Sequence, residues 1–345
     1  MTGSIRCGFL GPETTFTHQA LLQALAHDPL GAGTDAQLVP FPSVATAAGA
    51  LIAGEIDALM APIENSVEGG VSGTLDVLAA TESITIIAEQ VVPITFVLAA
   101  REQIPLEELT SVASHPHAQA QVQGWLRAHV PSARIDAASS TAAAARDLLA
   151  DGEAADPERS ADAEHRTRAA ICSPLAASHF DLAVLAEGIE DTRGAQTRFV
   201  LVTREGRIPG RTGSDRTTIV VTLAHERAGA LLEALELFRA NGVNLSRIES
   251  RPTGDALGRY SFSIDIEGHI EDRRVGAALR ALHRVSAQLQ FLGSYPRYDG
   301  IAPQQQPGFS DDAYDDAAAW VASLRGMTER DRIPAGSVDE GADED

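Results

Sequence analysis

An apolar run of strand length, Ile5-Arg6-Cys7-Gly8-Phe9-Leu10, lies near the start of the chain and is followed by a helical pattern over residues 15–26. Further strand patterns at 38–41 and 58–63 are each followed by helical patterns. Strands that alternate with helices predict a mostly parallel sheet covered by helices. The sequence therefore predicts an α/β fold for this part of the chain.

A second series of strand and helix patterns follows two β-rich runs at 84–88 and 94–98, and it includes a helix over about 116–129. We expect one α/β domain over 1–205, divided into a lobe of 1–82 plus 187–205 and a lobe of 83–186. Two such lobes around a cleft resemble the architecture of periplasmic binding proteins. The acidic, Pro-containing segment 151–166 is interpreted as a surface excursion.

The pattern changes after a linker at 206–215. Residues 216–298 read strand, helix, strand, strand, helix, strand, which is the ferredoxin-like order. The acidic tail, 299–345, shows helical periodicity over about 311–325, and we expect the rest of it to be disordered.

Composition limits the classes of partner. The formal net charge is −21 and the chain contains no Lys, which argues against nucleic-acid binding. No apolar window is long enough to span a membrane, and no export signal is visible, so we expect a cytoplasmic protein. Cys7 and Cys172 lie in apolar runs typical of buried thiols, and the pair His115 and His117 lacks further ligands, so no metal is expected.

Polar side chains recur where predicted strands end or helices begin. Thr197 and Arg198 open a strand, Asn65 follows another strand, and Ser114 and Ser140 precede helices. Each alone is an ordinary helix cap or strand residue. Together they would face one cleft and form a pocket for a small anion. Because the chain has no Gly-rich phosphate loop, nicotinamide fingerprint or Ser-His-Asp order, we expect any enzyme activity to need no cofactor.

These motifs, taken in order, resemble the prephenate dehydratase family in its monofunctional form with a regulatory ACT domain. The similarity spans about residues 6–297. The matching segments are Leu10-Gly11-Pro12 with Thr15-Phe16, Pro62-Ile63-Glu64-Asn65-Ser66, Ser114-His115-Pro116, Ser139-Ser140-Thr141-Ala142, Thr197-Arg198-Phe199 and Glu249-Ser250-Arg251-Pro252. Thr14, His117 and Ala195 depart from the family pattern.

The resemblance implies that the chain converts prephenate into phenylpyruvate, water and carbon dioxide, in phenylalanine biosynthesis. It implies catalytic roles for Thr197, Glu64 and Arg198: Thr197 would bond the leaving hydroxyl, Glu64 would supply or relay a proton, and Arg198 would either anchor a carboxylate or brace the loop from beneath. The implied substrate-binding residues are Asn65, Ser66, Ser114, Gln121, Ser140, Thr141, Phe199 and Thr15.

The resemblance also implies that phenylalanine regulates the enzyme by binding at an ACT dimer interface in a homo-oligomer, a dimer of dimers. The implied effector residues are Gly229, Ala230, Leu231, Asn244, Leu245, Glu249, Ser250, Arg251 and Pro252. Two alternatives stay open at this point: dehydration of arogenate, the aminated substrate, and a bilobal amino-acid sensor that is not an enzyme.

Overall fold

The computed structural model describes residues 4–31, 35–153, 167–206, 208–224, 227–253 and 259–330. Most of the surface excursion expected at 151–166 lies outside these residues, as does the end of the tail, which was expected to be disordered. The described chain forms three sheets, two in the N-terminal α/β part and one in the C-terminal domain. The two-lobed α/β architecture and the separate ferredoxin-like unit agree with the sequence-based expectation. The lobe boundary expected at residue 83 is wrong, because the strand Ile84–Pro93 joins the sheet of the first lobe and not that of the second.

Strands and helices alternate through the first two lobes. The strands are β1 (Ile5–Leu10), β2 (Ala36–Phe41), β3 (Ala58–Asn65), β4 (Gly69–Gly70), β5 (Ile84–Pro93), β6 (Val97–Ala100), β7 (Ser111–Ser114), β8 (Arg134–Ala137), β9 (Arg168–Cys172), β10 (Ala183–Glu187), β11 (Gln196–Arg204), β12 (Asp215–Leu223), β13 (Leu245–Pro252), β14 (Tyr260–Glu267) and β15 (Ser286–Pro296). The helices are α1 (Phe16–Leu25), α2 (Val44–Ala53), α3 (Ser72–Ala80), α4 (Pro116–Gln121), α5 (Gln123–His129), α6 (Thr141–Glu153), α7 (Pro174–His179), α8 (Ala230–Ala240), α9 (Arg273–Val285) and α10 (Asp311–Arg330).

The first lobe contains a sheet of order β2-β1-β3-β11-β5. β1 is parallel to β2 and β3, whereas β11 returns from the second lobe and lies antiparallel between β3 and β5. Thr15 caps the start of helix α1, and its hydroxyl accepts a hydrogen bond from the His18 amide at 3.3 Å. Apolar side chains of α1 bury one face of the sheet, and those of α2 and α3 bury the other. β11 is therefore held on both sides and both faces.

The second lobe contains a sheet of order β10-β6-β9-β7-β8. The helix that the sequence predicts over 116–129 is divided into α4 and α5 at Val122, whose φ is −125°. Asp191 explains the division, because its carboxylate accepts hydrogen bonds from the amides of Gly124 at 2.7 Å and Trp125 at 2.9 Å. These bonds satisfy the first amides of a new helix.

The C-terminal domain has the expected βαββαβ order and an antiparallel sheet of order β13-β14-β12-β15. Helices α8 and α9 cover one face through a core that includes Ile219, Phe238 and Leu282. The other face packs on the first lobe, where Tyr295 is fully buried. Contact is closest at Gly293, because a Cβ there would lie 2.2 Å from the Ile86 carbonyl oxygen.

The tail helix α10 packs on the C-terminal domain through its first turns. Asp311 accepts hydrogen bonds from Arg211 Nη1 at 2.6 Å and from the Arg273 amide at 2.9 Å, and the Tyr314 hydroxyl donates to Asn241 Oδ1 at 2.9 Å. Further along, Trp320 is 64% exposed. No helix in the described part of the chain has both the length and the apolar character needed to cross a membrane.

Candidate functional site

A cavity of about 430 Å³ lies between the two lobes, at the end of β11 that begins with Gln196 and Thr197. Both lobes contribute side chains to it, and the polar groups come from strand ends and helix starts. The cavity is lined by Leu10, Gly11, Thr15, Phe16, Thr17, Pro42, Asn65, Ile94, Phe96, His115, His117, Ala118, Gln121, Ser139, Ser140, Thr141 and Thr197. This is the cleft that the motifs predict.

Thr197 is oriented by an amide on the neighbouring strand. Asn65 lies opposite Thr197 in the pairing of β3 with β11, and its Nδ2 donates a hydrogen bond to Thr197 Oγ1 at 2.9 Å. The Asn65 Oδ1 accepts from the amides of Val67 at 2.8 Å and Glu68 at 3.1 Å, which fixes the orientation of the amide. Because Thr197 Oγ1 already accepts from Asn65, its own proton is free to be donated into the cavity.

Glu64 and Arg198 lie on the opposite face of the sheet from the cavity. They also face each other across β3 and β11, and Arg198 Nε donates to Glu64 Oε2 at 3.0 Å. Successive side chains of a strand point to opposite faces, so Thr197 and Arg198 cannot both reach the same pocket. Neither the expected proton relay by Glu64 nor the carboxylate anchor at Arg198 fits this geometry. Arg198 instead braces the strand from beneath, the other role considered for it.

Arg198 is buried among carboxylates. Its Nη1 donates to Glu89 Oε2 at 3.1 Å, and its Nη2 contacts Asp265 Oδ2 of the C-terminal domain. Burial alone would lower the pKa of Arg198, but the surrounding negative charges, Asp265 foremost, raise it well above its usual value. Burial would likewise raise the pKa of Asp265, yet Arg198 and Arg247 hold it well below its usual range. Both groups are therefore charged at neutral pH.

Four of the predicted substrate-binding residues besides Asn65 border the cavity: Thr15, Gln121, Ser140 and Thr141. Thr15 Oγ1 donates to the Leu10 carbonyl at 2.9 Å, and Ser140 Oγ accepts from the amide of Ala143 at 2.9 Å at the start of α6. Their hydroxyls are thus fixed by the backbone at the cavity wall.

Three other predicted residues do not border the cavity, each for a local reason. Ser114 is fully buried and its hydroxyl donates to the Ile171 carbonyl at 2.9 Å, within the second sheet. Phe199 lies on the same face of β11 as Thr197, but α1 covers it and separates it from the cavity. Ser66 Oγ accepts from the Gln196 amide at 2.9 Å and so ties the turn after β3 to β11. These three residues support the site from outside it.

Several cavity residues were missed as binding groups, including the apolar side chains of Phe16, Ile94 and Phe96. His115 and His117 were considered only as metal ligands. Burial, and secondarily the neighbouring His117, lower the pKa of His115, so its imidazole is neutral at pH 7. Among the residues that the structure describes, no group of three or more His, Cys, Asp or Glu side chains could hold a metal ion.

A polar bridge joins the two lobes beside the cavity. Glu68, in the turn after β3, accepts a hydrogen bond from Gln121 Nε2 at 3.1 Å, and its other oxygen lies 3.4 Å from His117 Nδ1. Gln121 therefore both borders the cavity and connects the lobes. Sequence analysis identified Gln121 as a binding residue, but it did not identify Glu68 as its hydrogen-bond partner.

The predicted effector residues fall into two groups within one chain. Gly229, Ala230 and Leu231 lie at the start of α8, where Ala230 borders a cavity of about 320 Å³. Arg251 and Pro252, at the end of β13, border a different cavity of about 470 Å³. Asn244 and Leu245 lie where β13 begins, and Ser250 is exposed on it.

The end of β13 touches the first lobe directly. Glu249 Oε1 accepts a hydrogen bond from the Gly70 amide at 2.9 Å. Arg251 donates to both carboxylate oxygens of Asp76 at 2.8 Å and to Ser72 Oγ at 3.1 Å. The implied effector strand is thus in contact with α3, which packs against the sheet that carries Thr197.

Comparison with known proteins agrees with the division seen in the structure. Residues 7–207 match the family model described as prephenate dehydratase, and residues 217–284 match the ACT domain. A prephenate dehydratase of Mycobacterium marinum is 40% identical over 93% of this chain and 96% of its own length. One from Amycolatopsis methanolica is 41% identical over 93% of this chain and 98% of its own length.

Solved structures share this fold. The prephenate dehydratase of Arthrobacter aurescens, crystallised in complex with L-Phe, is 47% identical, with a TM-score of 0.82 over 93% of this chain and 100% of that chain. A structure described as a novel type of quorum quenching acylase is 26% identical, with a TM-score of 0.70 over 84% of this chain and 97% of that chain. The resemblance in the motifs is thereby confirmed, and the chain belongs to the prephenate dehydratase family of hydro-lyases, with an ACT domain after the catalytic domain.

Proposed function

We propose that this enzyme converts prephenate into phenylpyruvate, water and carbon dioxide in the cavity between the lobes, without a cofactor. The observation that carries the proposal is the hydrogen bond from Asn65 to Thr197 Oγ1, which leaves the Thr197 proton free to be donated into the cavity. A hydroxyl oriented in this way is the group needed to assist a departing hydroxyl.

In the proposed reaction, the bond between the ring and its carboxylate breaks and carbon dioxide leaves. The electron pair of that bond enters the ring, the bond from the ring to the 4-hydroxyl breaks, and an aromatic ring forms. The departing hydroxyl takes up one proton, supplied by solvent, and leaves as water. Thr197 stabilises the negative charge that develops on the departing oxygen, because its hydrogen bond strengthens as that charge grows.

Hydroxyl and amide groups are proposed to bind the two carboxylates of prephenate. Ser140 and Thr141 supply hydroxyls, whereas the Thr15 hydroxyl already donates to the Leu10 carbonyl and only shapes the cavity wall. The start of α6, at Ser140 and Thr141, also carries the partial positive charge of a helix N-terminus. Among the described residues that line the cavity there is no Arg, so anion binding depends on neutral donors such as Gln121. Prephenate carries two carboxylates and phenylpyruvate only one, so neutral donors can bind the substrate without holding the product too tightly.

Apolar side chains are proposed to promote the loss of carbon dioxide. Phe16, Ile94 and Phe96 line the same cavity, and the rings of Phe16 and Phe96 meet edge to face with centroids 5.7 Å apart. A charged carboxylate beside these apolar side chains is poorly solvated. Its conversion into neutral carbon dioxide removes this unfavourable contact and so favours decarboxylation. Glu64 and Arg198 act only by holding β3 and β11 in register.

Arogenate is the nearest alternative substrate, and it carries an amino group where prephenate has a keto group. The described lining of the cavity includes no Asp or Glu to pair with that amino group, which supports prephenate. An acylase reaction would need a nucleophile beside a general base. The group that bonds Thr197 is an amide, which cannot accept its proton. A sensor without activity does not account for an oriented hydroxyl in the cavity.

We further propose that phenylalanine inhibits the enzyme by binding between ACT domains of a homo-oligomer, a dimer of dimers. The relative crystallised with L-Phe and the ACT domain support effector binding. The two groups of effector residues lie beside exposed apolar side chains, Leu232 and Ile248, which a second subunit could cover. Cys7 and Cys172 are free thiols, which suits the cytoplasm, where we propose that the enzyme works.

One assay tests this proposal. The purified protein is incubated with prephenate or with arogenate, and phenylpyruvate is followed by its absorbance in alkali while phenylalanine is followed by chromatography. We expect rapid phenylpyruvate formation from prephenate and slow or no phenylalanine formation from arogenate. Faster turnover of arogenate would reassign the substrate, and no turnover of either would refute the proposal.

A further inference from the structure

A network of charges lies where the ACT sheet packs on the catalytic domain, and all of its members except the partly exposed Glu64 are buried. Three of its members belong to the catalytic domain and three to the ACT domain, and the positive and negative charges are equal in number. The members are Glu64, Glu89 and Arg198, and Arg216, Arg247 and Asp265.

Asp265 and Glu89 are the two centres of this network, and both side chains are fully buried. Asp265 contacts Arg198 Nη2 and accepts from Arg247 Nε at 2.9 Å and Nη2 at 3.0 Å. Glu89 Oε2 accepts from Arg198 Nη1 at 3.1 Å and also contacts Arg216 Nη1. Arg198 is thus held jointly by both domains.

Stability alone is a poor explanation for these charges. A buried ion network costs much of its electrostatic gain in desolvation, and apolar side chains of similar volume are often at least as stable. Within the described residues, Arg216 Nε and Arg247 Nη1 are buried without a hydrogen-bond partner, which adds to the cost. What charged groups supply better than apolar ones is a fixed direction for each bond.

The ion network fixes the position of β11, the strand that carries the Thr197 hydroxyl. Two cross-strand pairs hold β3 and β11 together here: Arg198 with Glu64 on one face, and Thr197 with Asn65 on the other. The pairing shifts register directly after Arg198. The extra residue at this shift is Ile63 of β3, next to Glu64 and Asn65, the partners of Arg198 and Thr197. The two cross-strand pairs therefore share one bulge, and their positions are linked.

We propose that Asp265 of the ACT domain is a positioning residue for the dehydration, acting through Arg198 on the strand that carries Thr197; this inference rests on the role proposed above for Thr197. Asp265 lies on β14, so a displacement of the ACT sheet also displaces the carboxylate that holds Arg198. The regulatory domain thereby completes the catalytic site from beneath.

The test must separate positioning from stability. The single variant Asp265→Asn leaves an excess of buried positive charge, so its partner is the charge-compensated variant Asp265→Asn with Arg247→Met. A milder pair is Thr218→Val and Thr217→Val. Thr218 Oγ1 donates to Asp265 at 2.8 Å, whereas Thr217 Oγ1 donates to the Gly268 carbonyl at 2.7 Å, and both residues are fully buried on β12.

The measurements are kcat and KM for prephenate and the urea midpoint of unfolding. We expect the compensated variant to unfold near the wild-type midpoint, with kcat lowered at least about tenfold and KM changed less than about twofold, since small misplacements of catalytic groups act on turnover. We expect Thr218→Val to lower kcat and Thr217→Val to leave it unchanged.

A purely structural role predicts a different outcome: kcat would recover together with the urea midpoint in the compensated variant, and that result would overturn the inference. If neither Asp265 variant folds, the threonine pair decides, and equal kcat values for Thr218→Val and Thr217→Val would overturn it. A wild-type protein without activity on prephenate would refute the proposed function, and this inference with it.

Discussion

The hydroxyl of Thr197 borders the cavity between the lobes, whereas the guanidinium of the next residue, Arg198, lies in a buried ion network on the opposite face of the sheet. The side chain proposed to act on the substrate and the side chain that supports the strand are therefore neighbours on β11 that point to opposite faces of the sheet. Substitution of Thr197 should therefore lower turnover and leave stability nearly unchanged, whereas substitution of Arg198 should lower stability as well as turnover.

Removing the guanidinium of Arg198 should destabilise the fold. Arg198→Met leaves the buried carboxylates of Glu89 and Asp265 with fewer partners, and we expect the free energy of unfolding to fall by about 3–5 kcal/mol. Urea denaturation followed by circular dichroism measures it. The control is Arg134→Met, which removes an exposed pair with Asp136 and should change stability by less than about 1 kcal/mol. Equal losses in the two variants would contradict the buried network.

The stability of the protein should depend on pH through Asp265. Its pKa lies well below the usual range in the folded protein because the charges of Arg198 and Arg247 outweigh the effect of burial. The unfolded chain therefore binds a proton that the folded chain does not. This contribution to stability is present above pH ~4, the pKa of an ordinary Asp, and is lost as the pH falls below that value.

Urea midpoints measured between pH 7 and pH 3 test this dependence. The wild-type midpoint should fall more steeply below pH ~4 than that of the charge-compensated variant Asp265→Asn with Arg247→Met. Parallel curves for the two proteins would show that Asp265 does not titrate as the buried network requires.

The two thiols should be unreactive in the folded protein. Burial raises the pKa of Cys172 to about 12, and burial together with the negative charge of Asp57 raises the pKa of Cys7 to about 11. Since the thiolate is the reactive form, a disulfide reagent at pH ~8 should titrate no thiol rapidly in the native state and both after denaturation. Rapid modification of the native protein would contradict the packing of β1 or β9.

Much of the architecture and part of the site were predictable from the sequence. The alternating strand and helix patterns identified the α/β lobes, and the βαββαβ order identified the C-terminal unit. Thr197, Asn65 and Ser140 were recognised because their motifs lie at strand ends and helix starts, where an α/β fold places its ligands. These predictions depended only on local patterns.

Sequence reasoning did not predict which face of the sheet each side chain of β3 and β11 occupies. The resemblance implied a pocket role for Glu64 and, as one of two alternatives, for Arg198, although strand geometry sends them to the face opposite Asn65 and Thr197. The ion network depends on contacts between distant strands and could not be derived from motifs. One signal was available: Asp265 is an acidic residue between Ile264 and Ile266 in a predicted strand, and a buried charge needs a partner.

Phenylalanine should bind only to the assembled oligomer. Light scattering measures the mass in solution, and isothermal titration measures binding. Leu232→Asp places a charge on an exposed apolar side chain beside the start of α8, and it should both reduce the mass and abolish phenylalanine binding. Trp320→Asp, at an exposed site on α10, is the matched control and should change neither. Binding that survives dissociation would place the effector site within one chain.

The hydroxyl of Thr197 is the centre of the account, and three substitutions isolate it. Thr197→Ala and Thr197→Val remove the hydroxyl, Val keeping the volume, whereas Thr197→Ser keeps the hydroxyl and removes a methyl group. Asn65→Ala removes the amide that orients the hydroxyl and should lower kcat less than Thr197→Ala does.

The most direct measurement is therefore kcat for conversion of prephenate to phenylpyruvate by Thr197→Ala, Thr197→Val and Thr197→Ser, with folding checked by circular dichroism. We predict that the Ala and Val variants fold normally and lose at least ~100-fold in kcat, whereas the Ser variant stays within ~10-fold of wild type. Folded Ala and Val variants that retain most of the wild-type kcat would contradict the catalytic role of Thr197.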